Sequence, residues 1–193
     1  MPRGTLAMVE TEIKLRWDAD AASARAHIEA CGFAANGPRL LEEDQLFDRA
    51  SGELRQGREL LRLRVSAGVA TVTYKGPPVP GPYKSREEIE FCVDNAEAFE
   101  IVLSRLGYQR VFRYEKYRTK FATAAVGLIT LDETPIGIFI ELEGPEYWID
   151  AVSERLGFAR SQFLTASYAA LYAEFRVNHS DAPPNMVFSA PSS

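Results

Sequence analysis

The chain has 193 residues, of which 46% are hydrophobic and 25% are charged, and its formal net charge is −5. This length and composition fit one soluble globular domain with a substantial core and leave little room for two. The acidic balance argues against a general nucleic-acid binder, because such proteins carry a surplus of Lys and Arg.

Sequence features that direct a chain to a membrane or a secretory route are not evident. No apolar run approaches the roughly 18 residues that suggest a transmembrane helix. The first residues, MPRGTLAM, lack the apolar stretch of a signal peptide. Cys31 and Cys92 match no metal-ligand or redox spacing. We therefore expect a reduced, cytoplasmic protein.

The first part of the chain predicts a strand and then a helix. Residues 1–7 read as a flexible lead-in, and a single domain is expected over 8–176. Alternate residues of VETEIKLRW, 9–17, fall on opposite faces of a strand, and one face is mostly apolar. The segment ARAHIEACGF then shows helical spacing and ends at Gly32, which can adopt the left-handed conformation that closes a helix. The other face of the strand carries two acids and then two bases: Glu10, Glu12, Lys14 and Arg16.

The middle of the chain predicts a series of strands. Period-two patterning covers 60–66, 69–76 and 85–93. The SAG sequence at 66–68 predicts a hairpin turn between the first two. GPPVPGPY, 76–83, is too rich in Pro and Gly for a regular element and predicts a loop over the sheet, either a mobile surface loop or a lid.

The last part mixes helices and strands and then loses periodicity. Helices over 98–108 and 148–158 end at Gly107 and Gly157, and a further helix is expected over 167–175. Residues 177–193, rich in Pro, Ser and Asn, predict a disordered tail. So many short strands favour a strongly curved or closed antiparallel sheet with helices packed outside it, an α+β fold. The strands of this part cover 113–121, 127–133 and 137–144.

Charged residues recur on one face of nearly every predicted strand. A solvated face is the commoner explanation for any single strand. Taken together, the faces hold few neutral polar residues, use Arg where Lys would suffice, and carry their acids in pairs. We therefore expect these faces to meet inside a barrel. Beyond the first strand they carry Arg62, Arg64, Lys75, Arg86, Glu88, Glu90, Lys116, Arg118, Lys120, Asp132, Glu141 and Glu143.

The charges expected inside the barrel indicate which ligands it could bind. Unpaired buried charge is costly, so charges of both signs need partners. Arg and Lys from several strands suit phosphate oxygens, and clustered carboxylates suit Mg²⁺ or Mn²⁺. A polyphosphate with its metal meets both needs at once.

The residues also resemble a known family, the CYTH domain or triphosphate tunnel metalloenzymes. The resemblance implies a closed eight-stranded antiparallel β-barrel with outer helices, a triphosphate substrate and a divalent cation. Several motifs of this family follow in order over about residues 8–175. They are ETEIK (10–14), LRLR (61–64), TYKGP (73–77), SREEIE (85–90), EKYR (115–118), TLDE (130–133), GIFIELEG (137–144) and SYAALY (167–172).

The resemblance also implies roles for individual residues. The implied metal ligands are Glu10, Glu12, Glu141 and Glu143, with help from Asp132 and from Glu88 or Glu90. The implied phosphate-binding residues are Lys14, Arg62, Arg64, Lys75, Arg86, Lys116 and Arg118. Catalytic roles fall to Glu12, Glu90 and Lys75, with Glu12 or Glu90 orienting or deprotonating the nucleophile. The metal alone could also do this. Arg16 lies outside the motif, and we expect it to face solvent.

Several functions stay open from the sequence. The first is hydrolysis of an inorganic, thiamine or nucleoside triphosphate. The alternatives are a class IV adenylyl cyclase, which the stretch EEDQLFD (42–48) favours, and a non-catalytic triphosphate-binding module. RVFRYEKYRTK (110–120) resembles a single-stranded nucleic-acid surface, but its cations divide between two strand faces, so we expect no nucleic-acid partner. We expect a monomer or homodimer with no membrane partner.

Overall fold

The computed structural model describes residues 8–123 and 126–189, so the predicted lead-in over 1–7 lies outside the described residues. Within these ranges the chain forms eight strands and five helices. The strands are β1 (Met8–Trp17), β2 (Leu40–Arg49), β3 (Leu60–Ser66), β4 (Val69–Lys75), β5 (Lys84–Val93), β6 (Tyr108–Phe121), β7 (Leu128–Thr134) and β8 (Gly137–Glu143). The helices are α1 (Ala21–Ala30), α2 (Glu53–Gln56), α3 (Ala96–Arg105), α4 (Glu146–Arg155) and α5 (Tyr168–Asn178).

The eight strands form one closed antiparallel barrel in the order β1-β5-β4-β3-β2-β6-β7-β8, which confirms the predicted fold. The register sets charged residues of neighbouring strands opposite one another. Lys14 of β1 faces Glu141 of β8, and Glu10 of β1 faces Arg86 of β5. Because side chains alternate along each strand, these charges share the inner face of the barrel.

Strand β2 is the element that period-two patterning does not reveal. Its sequence, LLEEDQLFDR, mixes acidic and apolar residues on both faces. Glu42 and Asp44 point into the barrel, whereas Glu43 and Gln45 lie on the outer face, where each binds a charged side chain. Neither face therefore looks uniformly polar or apolar in the sequence.

The apolar core lies outside the barrel wall and at one of its ends. Ile13 and Leu15 of β1 pack with α1 and α4 over the outer faces of β7 and β8. Leu63 of β3 packs with α3 over a second outer face. A third cluster, which includes Phe139 and Tyr168, closes one end of the barrel where α5 docks. The interior of the barrel is thus left for polar groups.

Glycines end the helices as predicted. Gly32, Gly107 and Gly157 follow α1, α3 and α4 with φ of +86°, +86° and +80°, the left-handed region that closes a helix at low cost. The 66–68 turn is also as predicted, since Ala67 and Gly68 both have positive φ. No helix in the described ranges is both long enough and apolar enough to span a bilayer.

The end of the chain differs from the disordered tail predicted over 177–193. Helix α5 continues to Asn178, and the residues after it run along β6. The Met186 amide donates to the Arg113 carbonyl at 3.0 Å, and the Glu115 amide donates to the Met186 carbonyl at 2.8 Å. The Met186 side chain is fully buried beside Tyr114 and Tyr172. A single anchoring Met within a Pro- and Ser-rich stretch leaves no periodic signal. Residues 190–193 lie outside the described residues.

Candidate active site in the barrel lumen

The lumen holds a cavity of about 240 Å³ whose lining is mostly charged. Every residue assigned a site role from the sequence lines this cavity except Asp132. The roles themselves stay predictions. The lining also contains Glu42 and Lys84, to which the sequence assigned no role. The basic lining residues are Lys14, Arg62, Arg64, Lys75, Lys84, Arg86, Lys116, Arg118 and Lys120, and the acidic ones are Glu10, Glu12, Glu42, Glu88, Glu90, Glu141 and Glu143.

Asp132 lies beneath the lumen surface and is fully buried. One of its oxygens accepts hydrogen bonds from Lys116 and Tyr168, both at 2.7 Å. Arg118 binds both oxygens, at 2.6 and 2.5 Å. Because protein donors already occupy this carboxylate, its geometry favours anchoring two lumen cations over the predicted role in metal binding.

Strand β2 supplies a second anchor. Both Asp44 oxygens accept hydrogen bonds from Arg64, at 2.8 and 3.3 Å, and Glu42 lies 2.9 Å from the same guanidinium. Arg62 Nε lies 3.4 Å from Asp44. Burial alone would raise the pKa of Asp44, but Arg64 and Arg62 hold it below its usual value. The only sequence feature that indicates this pair of acids is their spacing, since Glu42 and Asp44 lie two residues apart and so share one face of a strand.

Two carboxylates of the lumen, those of Glu10 and Glu143, lie close to further acidic side chains. Burial and the nearby charges of Glu143 and Glu88 raise the pKa of Glu10 to about 8. Burial, with Glu12 and Glu141, also raises the pKa of Glu143. Closely spaced carboxylate oxygens are the donor chemistry that a hard divalent ion prefers.

Other lumen carboxylates are turned toward lysine or arginine. Lys84 lies 2.5 Å from Glu12, and Lys75 lies 2.5 Å from Glu88. Burial would raise the pKa of Glu12, yet Lys14 and Lys84 hold it well below the usual value. In residues 8–123 and 126–189 no three acidic, His or Cys side chains surround a common point. The residue types fit a divalent ion, but Glu12 and Glu88 would have to exchange their lysine partners for the ion before they could bind it.

The cations are crowded as well. Burial and the neighbouring Arg62 lower the pKa of Lys75, and burial with Lys14 lowers that of Lys84 to about 8. The buried Nε atoms of Arg62 and Arg86 have no hydrogen-bond partner among the described residues. An anion in the lumen would supply acceptors for these Nε atoms, and its negative charge would offset the repulsion between the cations.

Tyr168 enters the lumen from α5 at the closed end of the barrel. Its ring centroid lies 5.3 Å from Lys14 Nζ and 4.9 Å from Lys116 Nζ, within cation–π range. Burial, followed by the charges of Asp132 and Glu141, raises the pKa of Tyr168 well above its usual value. Strand alternation carries no signal for Tyr168, since it comes from a helix.

Arg16 lies outside the lumen, as expected. Its exposed side chain donates to the Ile136 carbonyl at 3.0 Å and packs over Phe139. The two histidines are also remote from the lumen: a ring nitrogen of His27 on α1 lies 3.0 Å from the Leu156 carbonyl, and His179 follows α5.

Comparison with known proteins identifies the family of this chain. A sequence family described as the CYTH domain matches residues 8–154. A Methanocaldococcus jannaschii relative bearing the name "Putative adenylate cyclase" is 31% identical over 136 residues, which cover 70% of this chain and 77% of the relative.

Solved structures show the same architecture. The PH1819 protein of Pyrococcus horikoshii OT3 is 26% identical with a TM-score of 0.74, and the alignment covers 86% of this chain and 99% of that one. The Hippeastrum protein HpAC1, 19% identical with a TM-score of 0.62 over 88% of this chain and 96% of that one, shares the fold. The sequence match over most of the barrel establishes that this chain belongs to the CYTH domain family.

Proposed function

We propose that the protein is a divalent-metal-dependent enzyme that acts on a triphosphate and hydrolyses a phosphoanhydride bond. The observation that carries this proposal is the pair of buried Nε atoms of Arg62 and Arg86, which lack hydrogen-bond partners in a cavity that also gathers seven glutamates. Membership of the CYTH family supports it. HpAC1, which shares the fold, is described as having a dominant triphosphatase activity.

The lumen cations would bind the phosphate oxygens. Arg62, Arg86 and Lys75 extend from β3, β5 and β4, and Lys14 extends from β1 beside β5, whereas Lys116 and Arg118 extend from β6 on the other side of the barrel. A triphosphate between these two groups would receive charge-assisted hydrogen bonds along its length. Arg64 is held by Asp44 and Glu42, so it would contribute as a fixed charge.

The lumen glutamates would hold the metal. The candidate ligands are Glu10, Glu12, Glu88, Glu141 and Glu143, all of which line the cavity. A bound Mg²⁺ or Mn²⁺ would neutralise phosphate charge and orient a water molecule. Lys75 and Lys84 pair with Glu88 and Glu12 in the structure. When the metal ion binds these two carboxylates, the ammonium groups of Lys75 and Lys84 would bind phosphate oxygens instead.

Glu90 and Glu12 are the candidates to orient the nucleophile. Glu90 accepts a hydrogen bond from Thr73 at 3.0 Å and lies 3.6 Å from Arg62, yet its side chain is 51% exposed. Water therefore reaches a carboxylate that two neighbours already position. Lys75 would stabilise the charge that develops on the leaving phosphate.

Adenylyl cyclase activity is the alternative. Cyclisation of ATP places negative charge on the same kinds of phosphate oxygen and uses the same cations. The name of the Methanocaldococcus jannaschii relative favours it. A triphosphate-binding module without turnover is the weaker alternative.

A product assay separates these functions. Purified protein is incubated with tripolyphosphate, thiamine triphosphate or ATP, with Mg²⁺, Mn²⁺ or a chelator, and phosphate, pyrophosphate and cyclic AMP are resolved. We expect metal-dependent phosphate release without cyclic AMP. Cyclic AMP with equimolar pyrophosphate would establish the cyclase instead. No metal-dependent product from any substrate would leave the binding module.

Replacement of Glu12 tests catalysis directly. We expect Glu12→Gln to reduce turnover by roughly 10²-fold or more, since it removes a charge at the reacting centre. Binding of tripolyphosphate, followed by calorimetry, should persist. Glu87→Gln is the matched control, because Glu87 lies between Arg86 and Glu88 on the exposed outer face. Equal turnover in both variants would exclude a catalytic role for Glu12.

A further inference from the structure

One edge of strand β6 lacks a neighbouring strand over part of its length. Strand β2 pairs with β6 from Tyr108 to Arg118, whereas β7 pairs with the opposite edge only over Tyr117–Phe121. On that opposite edge, none of the described strands pairs with residues 108–116. Backbone amide and carbonyl groups on such an edge need partners from another part of the chain. The barrel wall therefore needs a further piece here, at the end where α5 docks.

The wall segment, residues 183–188, occupies part of this edge. It runs parallel to β6. The Met186 amide donates to the Arg113 carbonyl at 3.0 Å, and the Met186 carbonyl accepts from the Glu115 amide at 2.8 Å. The Arg113 amide donates to the side-chain oxygen of Asn185 at 2.8 Å. These bonds make the wall segment a short extra strand that completes the barrel beside β6.

Two further contacts hold the wall segment against the rest of the chain. The Tyr172 hydroxyl of α5 donates to the Pro183 carbonyl at 2.7 Å, and the Phe188 amide donates to the Glu115 carboxylate at 3.1 Å. The segment lies beyond residues 8–154, which carry the match to the CYTH domain family. The family match therefore assigns it no role.

The side chain of Met186 enters the floor of the lumen, which is the apolar cluster that contains Tyr114 and Phe139. These two residues have the same parity as Lys116 and Glu141 of their strands, so they face the inside of the barrel. Met186 is fully buried among them. Removal of its side chain would therefore leave a space inside the barrel, beneath the charged groups, and neighbouring side chains would shift toward that space.

Tyr114 connects this floor with the lumen cations. It lines the lumen cavity, and in the register it lies opposite Asp44. Burial and the charge of Asp44 raise the pKa of the Tyr114 hydroxyl to about 12, and the nearby Arg62 guanidinium opposes this rise. The hydroxyl therefore lies beside Arg62, one of the two arginines whose buried Nε lacks a hydrogen-bond partner among the described residues. A shift of the Tyr114 ring would change the surroundings of that guanidinium.

We propose that Met186 is a positioning residue for anion binding in the lumen. The wall segment completes the barrel beside β6, and Met186 holds Tyr114 where its hydroxyl fixes the orientation of Arg62. Met186 does not line the lumen cavity, so it acts through Tyr114 and not by contact with the anion. This inference rests on the proposed function, in which Arg62 binds phosphate oxygens.

The first test varies the side chain of residue 186 in the full chain. Two quantities are measured for tripolyphosphate: KM and kcat with Mg²⁺ or Mn²⁺, and the Kd in chelator by calorimetry. We expect Met186→Ala to raise KM and Kd by roughly tenfold, the effect of one charge-assisted hydrogen bond to the anion. The change in kcat should be smaller, because the candidate metal ligands extend from other strands. Met186→Leu keeps the volume of the side chain and should behave as wild type.

A second variant separates positioning from a loss of stability. Ile28 is also fully buried, but it lies on α1 in the apolar cluster outside the barrel wall. Ile28→Ala removes a comparable apolar volume and should lower the free energy of unfolding by a similar amount. It should leave KM and Kd for tripolyphosphate unchanged at a temperature where every variant is fully folded. Equal rises in Ile28→Ala and Met186→Ala would overturn the positioning role.

A double variant tests the path through Tyr114. Tyr114→Phe removes the hydroxyl beside Arg62 and keeps the ring in the floor of the lumen. We expect this variant to raise KM and Kd about as much as Met186→Ala does, and the double variant to raise them no further, because both changes disturb the same contact. Effects that multiply in the double variant would show that Met186 does not act through Tyr114.

The outcomes separate this inference from the function on which it rests. Turnover by wild type with unchanged KM and Kd in Met186→Ala would overturn the role of Met186 and leave the lumen function intact. Binding of tripolyphosphate without turnover would overturn hydrolysis, and the Kd values in chelator would still decide the role of Met186. Wild-type protein that neither binds nor hydrolyses tripolyphosphate would overturn the proposed function and this inference together.

Discussion

Arg118 and Asp132 form a bidentate ion pair across β6 and β7, with Nε 2.6 Å from Oδ1 and Nη2 2.5 Å from Oδ2. The register places the two residues directly opposite one another. Lys116 binds the same carboxylate, which is fully excluded from solvent. One buried aspartate therefore balances two of the cations that we assign to phosphate binding.

Asp132→Asn should destabilise the protein by about 3–5 kcal/mol, because it removes the fully buried carboxylate that Lys116 and Arg118 share. The free energy of unfolding in urea measures this effect, and KM for tripolyphosphate should rise as Arg118 loses its orientation. Glu133→Gln is the control. Glu133 is the next residue along β7 and pairs with Arg39 near the surface, so its loss should cost no more than about 1 kcal/mol. Equal stability of the two variants would contradict the anchoring role.

Tyr168→Phe tests the link between α5 and the lumen. The substitution removes the hydroxyl that donates to Asp132 at 2.7 Å but keeps the ring near Lys14 and Lys116. We expect a loss of about 1–3 kcal/mol in unfolding free energy, since a buried acceptor loses one donor. Tyr147→Phe, at a position 70% exposed, should change nothing measurable. A silent Tyr168→Phe variant would show that Lys116 and Arg118 satisfy Asp132 by themselves.

The raised pKa of Glu10 predicts a pH dependence of the metal-free protein. Its carboxyl has a pKa of about 8 in the folded chain against 4.5 for the reference carboxyl. Between these values the folded state binds more protons than the unfolded state, so this group makes stability fall as pH rises from about 4.5 to 8. Thermal denaturation in chelator should show a smaller decline over this range for Glu10→Gln than for wild type. Parallel declines would place the pH dependence elsewhere.

Met186→Ala tests the packing of the C-terminal segment on β6. Met186 is fully buried between α5 and the barrel end, and truncation of such a side chain costs about 2–5 kcal/mol. Val177→Ala is the control, because Val177 is 81% exposed. Calorimetric melting of both variants measures the difference. Identical melting temperatures of the two variants would indicate that residues 179–189 do not pack on β6 and are disordered, as their composition suggests.

Seven of the eight strands follow from alternation because their inner faces are charged and their outer faces are more apolar. In β1, for example, Ile13 packs under α1 and α4 while Lys14 enters the lumen. Strand β2 escapes this pattern because Glu43 and Gln45 on its outer face make polar contacts of their own. Tertiary contacts of that kind are invisible in a single sequence.

The residues of the candidate site also include some that the sequence could identify and some that it could not. Lys84 has the same parity as Arg86 and Glu88 in β5, so extending the predicted strand by one residue would have included it. Glu42 and Asp44 required the missing strand. Tyr168 belongs to the family motif SYAALY, but no pattern placed it in the lumen, since that position depends on how α5 docks against the barrel end. The engagement of Asp132 by Lys116, Arg118 and Tyr168 likewise depends on three-dimensional placement.

The barrel order has a consequence for biosynthesis. Strand β1 emerges first from the ribosome, yet its partners are β5 and β8, the latter ending at Glu143. Glu12 meets Glu143 only after nearly the whole barrel has been translated. Contacts so distant in sequence carry a large loop-closure cost and are typical of slow folding. The lumen thus assembles as a late event, and a nascent chain shorter than the barrel has neither a closed wall nor a place for a ligand.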